Sequence, residues 1–314
     1  MFATLSSIDA AIWLSILVKA VAYATTVLAI GSVLILCLLR GLSADGQKML
    51  RRIAVASAIA AAFFTALRLP LQASFLMGGT FEGALDPMIL SLVVEGPLGS
   101  SVAVRLAGLA LILPVIWRPH VAILGALLAA ISFALRGHVL GGPHLILGAF
   151  LCLHILALSF WVGAFAPLAR SARVDPPAQA GALAQEFGVL ALWAVAGLGV
   201  AGMGLLVLLG ATTPDLLSTD YGQFIAVKLA LFTGLLGLAA LNKLDLTPAL
   251  LDAKPGAGQS LRRSIGLETA LVAGILLTTA TLTTVSSPAE QDGDAISHMS
   301  RPIAPAHLPA AVVI

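Results

Sequence analysis

"HLILGAFLCLHILALSFWVGAFAPL", residues 144–168, decides the fold. The stretch runs from end to end without an Asp, Glu, Lys or Arg. As a helix rising about 1.5 Å per residue it is long enough to cross the roughly 30 Å hydrocarbon core of a bilayer. A spanning segment must satisfy its own backbone, and a helix does so within one segment. The reading is therefore a transmembrane helix, with the imidazole of His154 inside it and that of His144 at its start.

Runs of the same kind recur on both sides. Spans are expected near 11–39, 53–77, 100–117, 121–137, 144–168, 188–211, 222–242 and 265–286, separated by turn and breaker residues. Of the 314 residues, 59% are hydrophobic and only 10% charged, against about 25% charged in soluble domains. The expected fold is an all-α polytopic membrane bundle of about eight transmembrane helices. Residues 1–135 would form an N-terminal four-helix half, 136–288 a second four-helix half, and 289–314 a flexible tail rich in Pro and Ala. The first eleven residues carry no Lys or Arg and the first apolar run is long, so the first helix is expected to be retained rather than cleaved as a signal peptide. Cys37 and Cys152, both inside apolar runs, read as buried small hydrophobes.

Orientation follows from the basic residues. The first connection holds Arg40, Lys48, Arg51 and Arg52, the third Arg118, the fifth Arg170 and Arg173, and the seventh Lys243, Lys254, Arg262 and Arg263. The opposite side has Arg301 in the tail. The positive-inside rule then makes the odd connections cytoplasmic and puts both termini on the outer, periplasmic side. The outer segment 78–99 is too apolar for a free loop and too short to span. It is expected to contain an interfacial or re-entrant helix near 86–95, capped by Asp86 with Pro87 in its first turn.

Five cations remain inside or at the ends of spans: Lys19, Arg68, Arg105, Arg136 and Lys228. A charge at the bilayer centre costs about 2.5–3.5 kcal/mol on insertion scales. Their placement suggests a polar cavity opening outward, with Arg68, Lys228, Arg136 and the outer-loop Glu95 as its gating or charge-pairing residues. Asp86 is a further candidate partner. Snorkelling to headgroups also accounts for Arg105 and Arg136. Arg68 lies two residues before Pro70, which removes a donor and predicts local irregularity.

His138, His144 and His154 are the candidate metal ligands. His138 and His144 flank a Gly- and Pro-containing turn that can bring them together. His144 and His154 lie ten residues apart, about 15 Å along a regular helix, and cannot share one ion. Trp161 follows His154 by seven residues on the same face, as aromatic packing beside the site. Imidazole suits copper(II), zinc or haem iron.

Three stretches carry a family resemblance: "GH" followed by "LHILALSFWVGAFAPL"; "VKLALFTGLLGLAALNKLDLTPAL" at 227–250, with Lys228, Asn242 and Pro248; and "ETALVAGILLTTATLTTVSSP" at 268–288. Over about 136–288 the chain resembles the copper resistance protein D (CopD) family. The resemblance implies a multi-pass protein of the bacterial inner membrane that takes copper from the periplasm, receives it from a CopC-type carrier and moves it inward. It maps the family's histidines onto His138 and His154 and its intramembrane lysine onto Lys228. The sequence departs from a soft copper(I) pathway, since few methionines fall in the spans. Copper of unspecified oxidation state is the expected metal, and membrane lipids the surrounding partner. Two alternatives stay open: a haem b electron-transfer protein, for which His138 is the candidate second ligand, and a non-metal anion transporter or scaffold. No nucleotide loop, nucleophile–base pair or paired carboxylates appear, so neither an enzyme nor a nucleic-acid binder is expected.

Overall fold

The computed structural model describes residues 10–135, 144–208 and 220–285. Its elements are helical throughout. Helix α1 spans Ala10–Leu38 and α2 spans Ala44–Leu76. Two short helices follow, α3 (Phe81–Leu85) and α4 (Pro87–Glu95). Helix α5 (Pro97–Ile112) ends in a 3-10 turn, as does α6 (Pro119–Ile131). Helices α7 (His144–Val174), α8 (Pro177–Leu208) and α9 (Asp220–Leu241) form most of the second half. A π-helical turn, Asn242–Leu246, leads into α10 (Thr247–Leu251), and α11 (Ala257–Val285) closes the bundle. Among the described residues, seven helices are long and apolar enough to cross a membrane, and Pro119–Leu135 is a shorter apolar eighth. The protein is a polytopic helical bundle.

The helices begin earlier than the apolar runs. Helix α2 starts at residue 44 rather than 53, α8 at 177 rather than 188, and α11 at 257 rather than 265. Hydropathy marks where the oily face begins, whereas a helix begins where its first amides are capped. At α2 the cap is Ser43, whose hydroxyl accepts from the Gly46 amide. Lys48, Arg51 and Arg52 therefore ride on helix, and the connection between α7 and α8 shrinks to Asp175 and Pro176.

The helix expected near 86–95 is present as α4. The Asp86 carboxylate accepts from Met88 N at 2.9 Å and from Ile89 N at 3.1 Å, with Pro87 at the first turn. Helix α3 precedes it, capped by Thr80. Phe81, Leu85, Met88 and Leu92 are exposed along this segment. Helix α2 continues through Pro70 as regular α-helix, so the expected irregularity there is absent.

Helix α1 is the hub. It packs against α2, α6, α7 and α11. One core, rich in alanine (Ala54, Ala58, Ala61, Ala122, Ala126, Ala129), joins α1, α2, α5 and α6. A second, bulkier core joins α1, α7, α8 and α11 around Phe160, Trp161, Phe165 and Leu261. Small residues let backbones approach where lipid supplies no hydrophobic drive. The closest approach is Gly31 of α1 on Gly163 of α7, where either glycine's missing Cβ would strike the other's backbone. Helix α9 leans on α11, and α8 leans on α7 and meets α10 at the end carrying the basic connections.

Candidate functional site

Helix α7 supplies two polar side chains to the second half of the bundle. His154 is partly buried, and its Nδ1 is enclosed without a hydrogen-bond partner. It faces Gly202 of α8, where a Cβ would stand 3.9 Å from Nδ1 and Cε1. Glycine at 202 thus leaves room for about a methyl group beside the imidazole. Lys228, half-buried on α9, lies within electrostatic reach of the same ring. His154 and Lys228 come from different helices and act on each other through space rather than through a hydrogen bond.

Two turns further along α7, Trp161 is 2% exposed, and its Nε1 donates to Glu268 Oε2 at 3.0 Å. Asn242, the first residue of the π-helical turn, donates from Nδ2 to Glu268 Oε1. Glu268 itself is 3% exposed, the one acidic side chain of the described residues in the buried class. Asn242 Oδ1 is buried with no partner. Indole, amide and carboxylate from three elements therefore form one polar centre inside an apolar core. The role expected for Trp161 was aromatic packing, and the structure adds a hydrogen bond. Sequence reading passed over Glu268. The signal was available, because a carboxylate inside an apolar span marks a functional-site candidate by default.

Arg105, Arg68 and Lys19 are packed rather than lining an open space. Arg105, 2% exposed, lays its guanidinium 3.8 Å from the centroid of the Phe133 ring, and its Nε donates to Ser132 Oγ at 2.8 Å. Phe133 lies 5.5 Å, centroid to centroid, from Tyr23, and Arg68 sits 5.4 Å above the Tyr23 ring. The result is a guanidinium–ring–ring–guanidinium ladder across α5, the α6 extension, α1 and α2. Such contacts are worth about 2 kcal/mol when desolvated. Lys19 Nζ donates to Thr283 O at 2.7 Å and to Thr284 Oγ1 at 3.1 Å. Among the described residues no carboxylate pairs with Arg68. Asp86 is committed to its helix cap, and Glu95 is exposed at the end of α4.

Arg136 and His138 lie outside the described residues, as do the side chain of His144 and the tail 289–314. Helix α7 is unbroken from His144 to Val174, which keeps His144 about 15 Å from His154 along the axis. Among the described residues no group of three His, Cys, Asp or Glu side chains is gathered as a metal site.

A multi-pass bundle with this arrangement defines a class, a helical membrane protein with polar centres buried between its spans. Two family models make the assignment specific. One, described as "Copper resistance protein D-like, N-terminal domain", matches residues 7–145, and the other, "Copper resistance protein D", matches 181–282. Together they cover more than two thirds of the chain, and the chain belongs to the copper resistance protein D family. The match extends into the first four spans, beyond the stretches that carried the resemblance in the sequence. His154 and Trp161 fall between the two matched regions, whereas Lys228, Asn242 and Glu268 lie inside the second. No curated protein and no solved structure matches the chain.

Proposed function

We propose that this multi-pass copper-resistance protein takes copper from the periplasmic side of a bacterial inner membrane and moves or delivers it inward, with no covalent catalysis. In this reading the basic connections face the cytoplasm. His138 and His144 gather the ion at the outer mouth, where a CopC-type carrier releases it. His154 is the way station within the membrane.

The observation that carries the reading is the buried, unpartnered Nδ1 of His154, which faces a glycine rather than a side chain at Gly202. A buried polar atom without a partner costs about 1–3 kcal/mol. A passing metal ion supplies that partner, and a neutral imidazole nitrogen is a good ligand for copper. The Lys228 ammonium close by opposes any cation held there. A transported ion must be bound weakly enough to leave, and a fixed positive charge beside one imidazole provides that weakness.

His154→Ala tests the proposal by whole-cell copper accumulation and copper tolerance. Both are expected to change, and wild-type values for both would overturn the assignment of the site. Elemental analysis and an absorption spectrum of the purified protein separate copper from haem b. Stoichiometric iron with a Soret band would replace the copper reading with an electron-transfer one.

A further inference from the structure

We infer that Glu268, held by Trp161 and Asn242, is an exchangeable proton site that copper passage discharges. The inference rests on the copper-moving function proposed above.

The bonding inventory carries it. A carboxylate accepts only, and here it faces two donors: the indole N–H of Trp161 and the amide N–H of Asn242. The charged form is thus provided for. The protonated form must donate its O–H, and it too has a partner. Asn242 Oδ1 is buried and takes no hydrogen bond, and rotation of the amide by half a turn presents that oxygen to the carboxyl group. The same three side chains can satisfy Glu268 with or without its proton. A static structural bond needs only one of these arrangements.

The location fits exchange as well. Asn242 opens the π-helical turn that joins α9 to α10. Such turns interrupt the regular ladder and recur at functional sites. The other charged or titratable groups on the elements packed against α11 are engaged elsewhere or lie at another level. On α1, Lys19 bonds Thr283 and Thr284 near the far end of α11. On α7, His154 stands two turns from Trp161, about 10 Å along the axis, Arg170 pairs with Asp45 and Asp175, and Arg173 is exposed. On α9, Lys228 is within electrostatic reach of His154. On the π turn, Lys243 reaches Gly188 O, and Asp245 is exposed. Glu268 is therefore the group in this core that can neutralise a cation by releasing a proton. A positive ion entering beside it favours the carboxylate, so cation entry and proton release are linked in both directions. The step is a simple dissociation, in which the carboxyl O–H gives up H⁺ and the carboxylate remains.

The test is infrared difference spectroscopy of the full chain in lipid vesicles, comparing acid with alkaline buffer and each with added copper. The carbonyl stretch of a protonated carboxyl group is expected in acid and lost in alkali, with one component missing from Glu268→Gln. Identical titrations of wild type and Glu268→Gln would overturn the inference. If Glu268→Gln fails to reach the membrane, Trp161→Phe carries the test, since it keeps the carboxyl group and removes one donor. A displaced band supports the site, and an unmoved one overturns it. Copper at fixed acid pH is expected to diminish the Glu268 component, and an undiminished component would overturn the coupling. Copper accumulation with His154→Ala is read separately. A titrating Glu268 in a protein that moves no copper would sink the copper function and leave the proton site standing.

Discussion

Gly31 and Gly163 touch backbone to backbone where α1 crosses α7, and no side chain fits between them. This crossing joins the two alanine- and aromatic-rich cores. Gly31→Ala forces a methyl group against the Ser159 carbonyl, and neither element can yield cheaply. The expected cost is about 1–3 kcal/mol, read as a lowered unfolding midpoint in mild detergent. Gly188→Ala, inside α8 where a Cβ would meet nothing within 4 Å, is the control and is expected to hold or slightly raise the midpoint, because alanine is the better helix former.

Trp161→Phe keeps the ring in the core and removes the donor to Glu268 Oε2. A buried acceptor deprived of its donor costs about 1–3 kcal/mol. Glu268→Leu is expected to be costly for the mirrored reason, because it strands both the indole and the Asn242 amide. Combined, the two substitutions should cost less than the sum of their separate effects. Strict additivity of the midpoints would show that the two side chains do not act as one unit.

Lys19 and Thr284 offer a second coupling measurement. Thr284→Val removes the hydroxyl that accepts from the ammonium. In a Lys19→Met background the same substitution is expected to cost about 0.5–1.5 kcal/mol less. Equal costs in both backgrounds would mean that the contact contributes nothing to stability.

Arg105→Lys preserves the charge and loses the flat face that lies on Phe133, together with the Nε bond to Ser132. Lysine cannot reproduce a stacked, planar donor. A loss of about 1–2 kcal/mol is expected. Phe133→Leu should add little on top of it. Full additivity would deny the ladder its energetic role.

Orientation is open to direct labelling. In a cysteine-free background, Lys254→Cys stands on the exposed turn between α10 and α11. A membrane-impermeant maleimide is expected to miss it in intact cells and to label it once the membrane is opened. Labelling of intact cells would invert the proposed topology.

Local chemistry was the most legible part of this chain. Asp86 and Pro87 announced α4 because a cap is made by neighbours in sequence. The spans were legible because each bilayer crossing writes its own apolar run. Where the signal failed, the cause was distance along the chain or the limits of hydropathy. Starting the last span at 265 put Glu268 at a helix edge, whereas a start at Ala257 puts it three turns inside. Arg68 read as a cavity cation and Arg105 as a cavity or headgroup-seeking one, because nothing in the sequence says that Tyr23 and Phe133 lie between them. The pairing of His154 with Gly202 and Lys228 likewise depends on how three helices rotate about their axes, which periodicity in so uniformly apolar a chain does not specify.

The bond from Lys19 to Thr283 and Thr284 joins residues 264 and 265 positions apart. During synthesis α1 enters the bilayer first, yet its ammonium meets these acceptors only after α11 has left the ribosome. Until then the ammonium lacks these two acceptors. The hub of the finished bundle is therefore the last element to be fully enclosed. A chain arrested before Thr283 lacks both of these acceptors, so the contact that ties the first described helix to the last is made only when synthesis is almost complete.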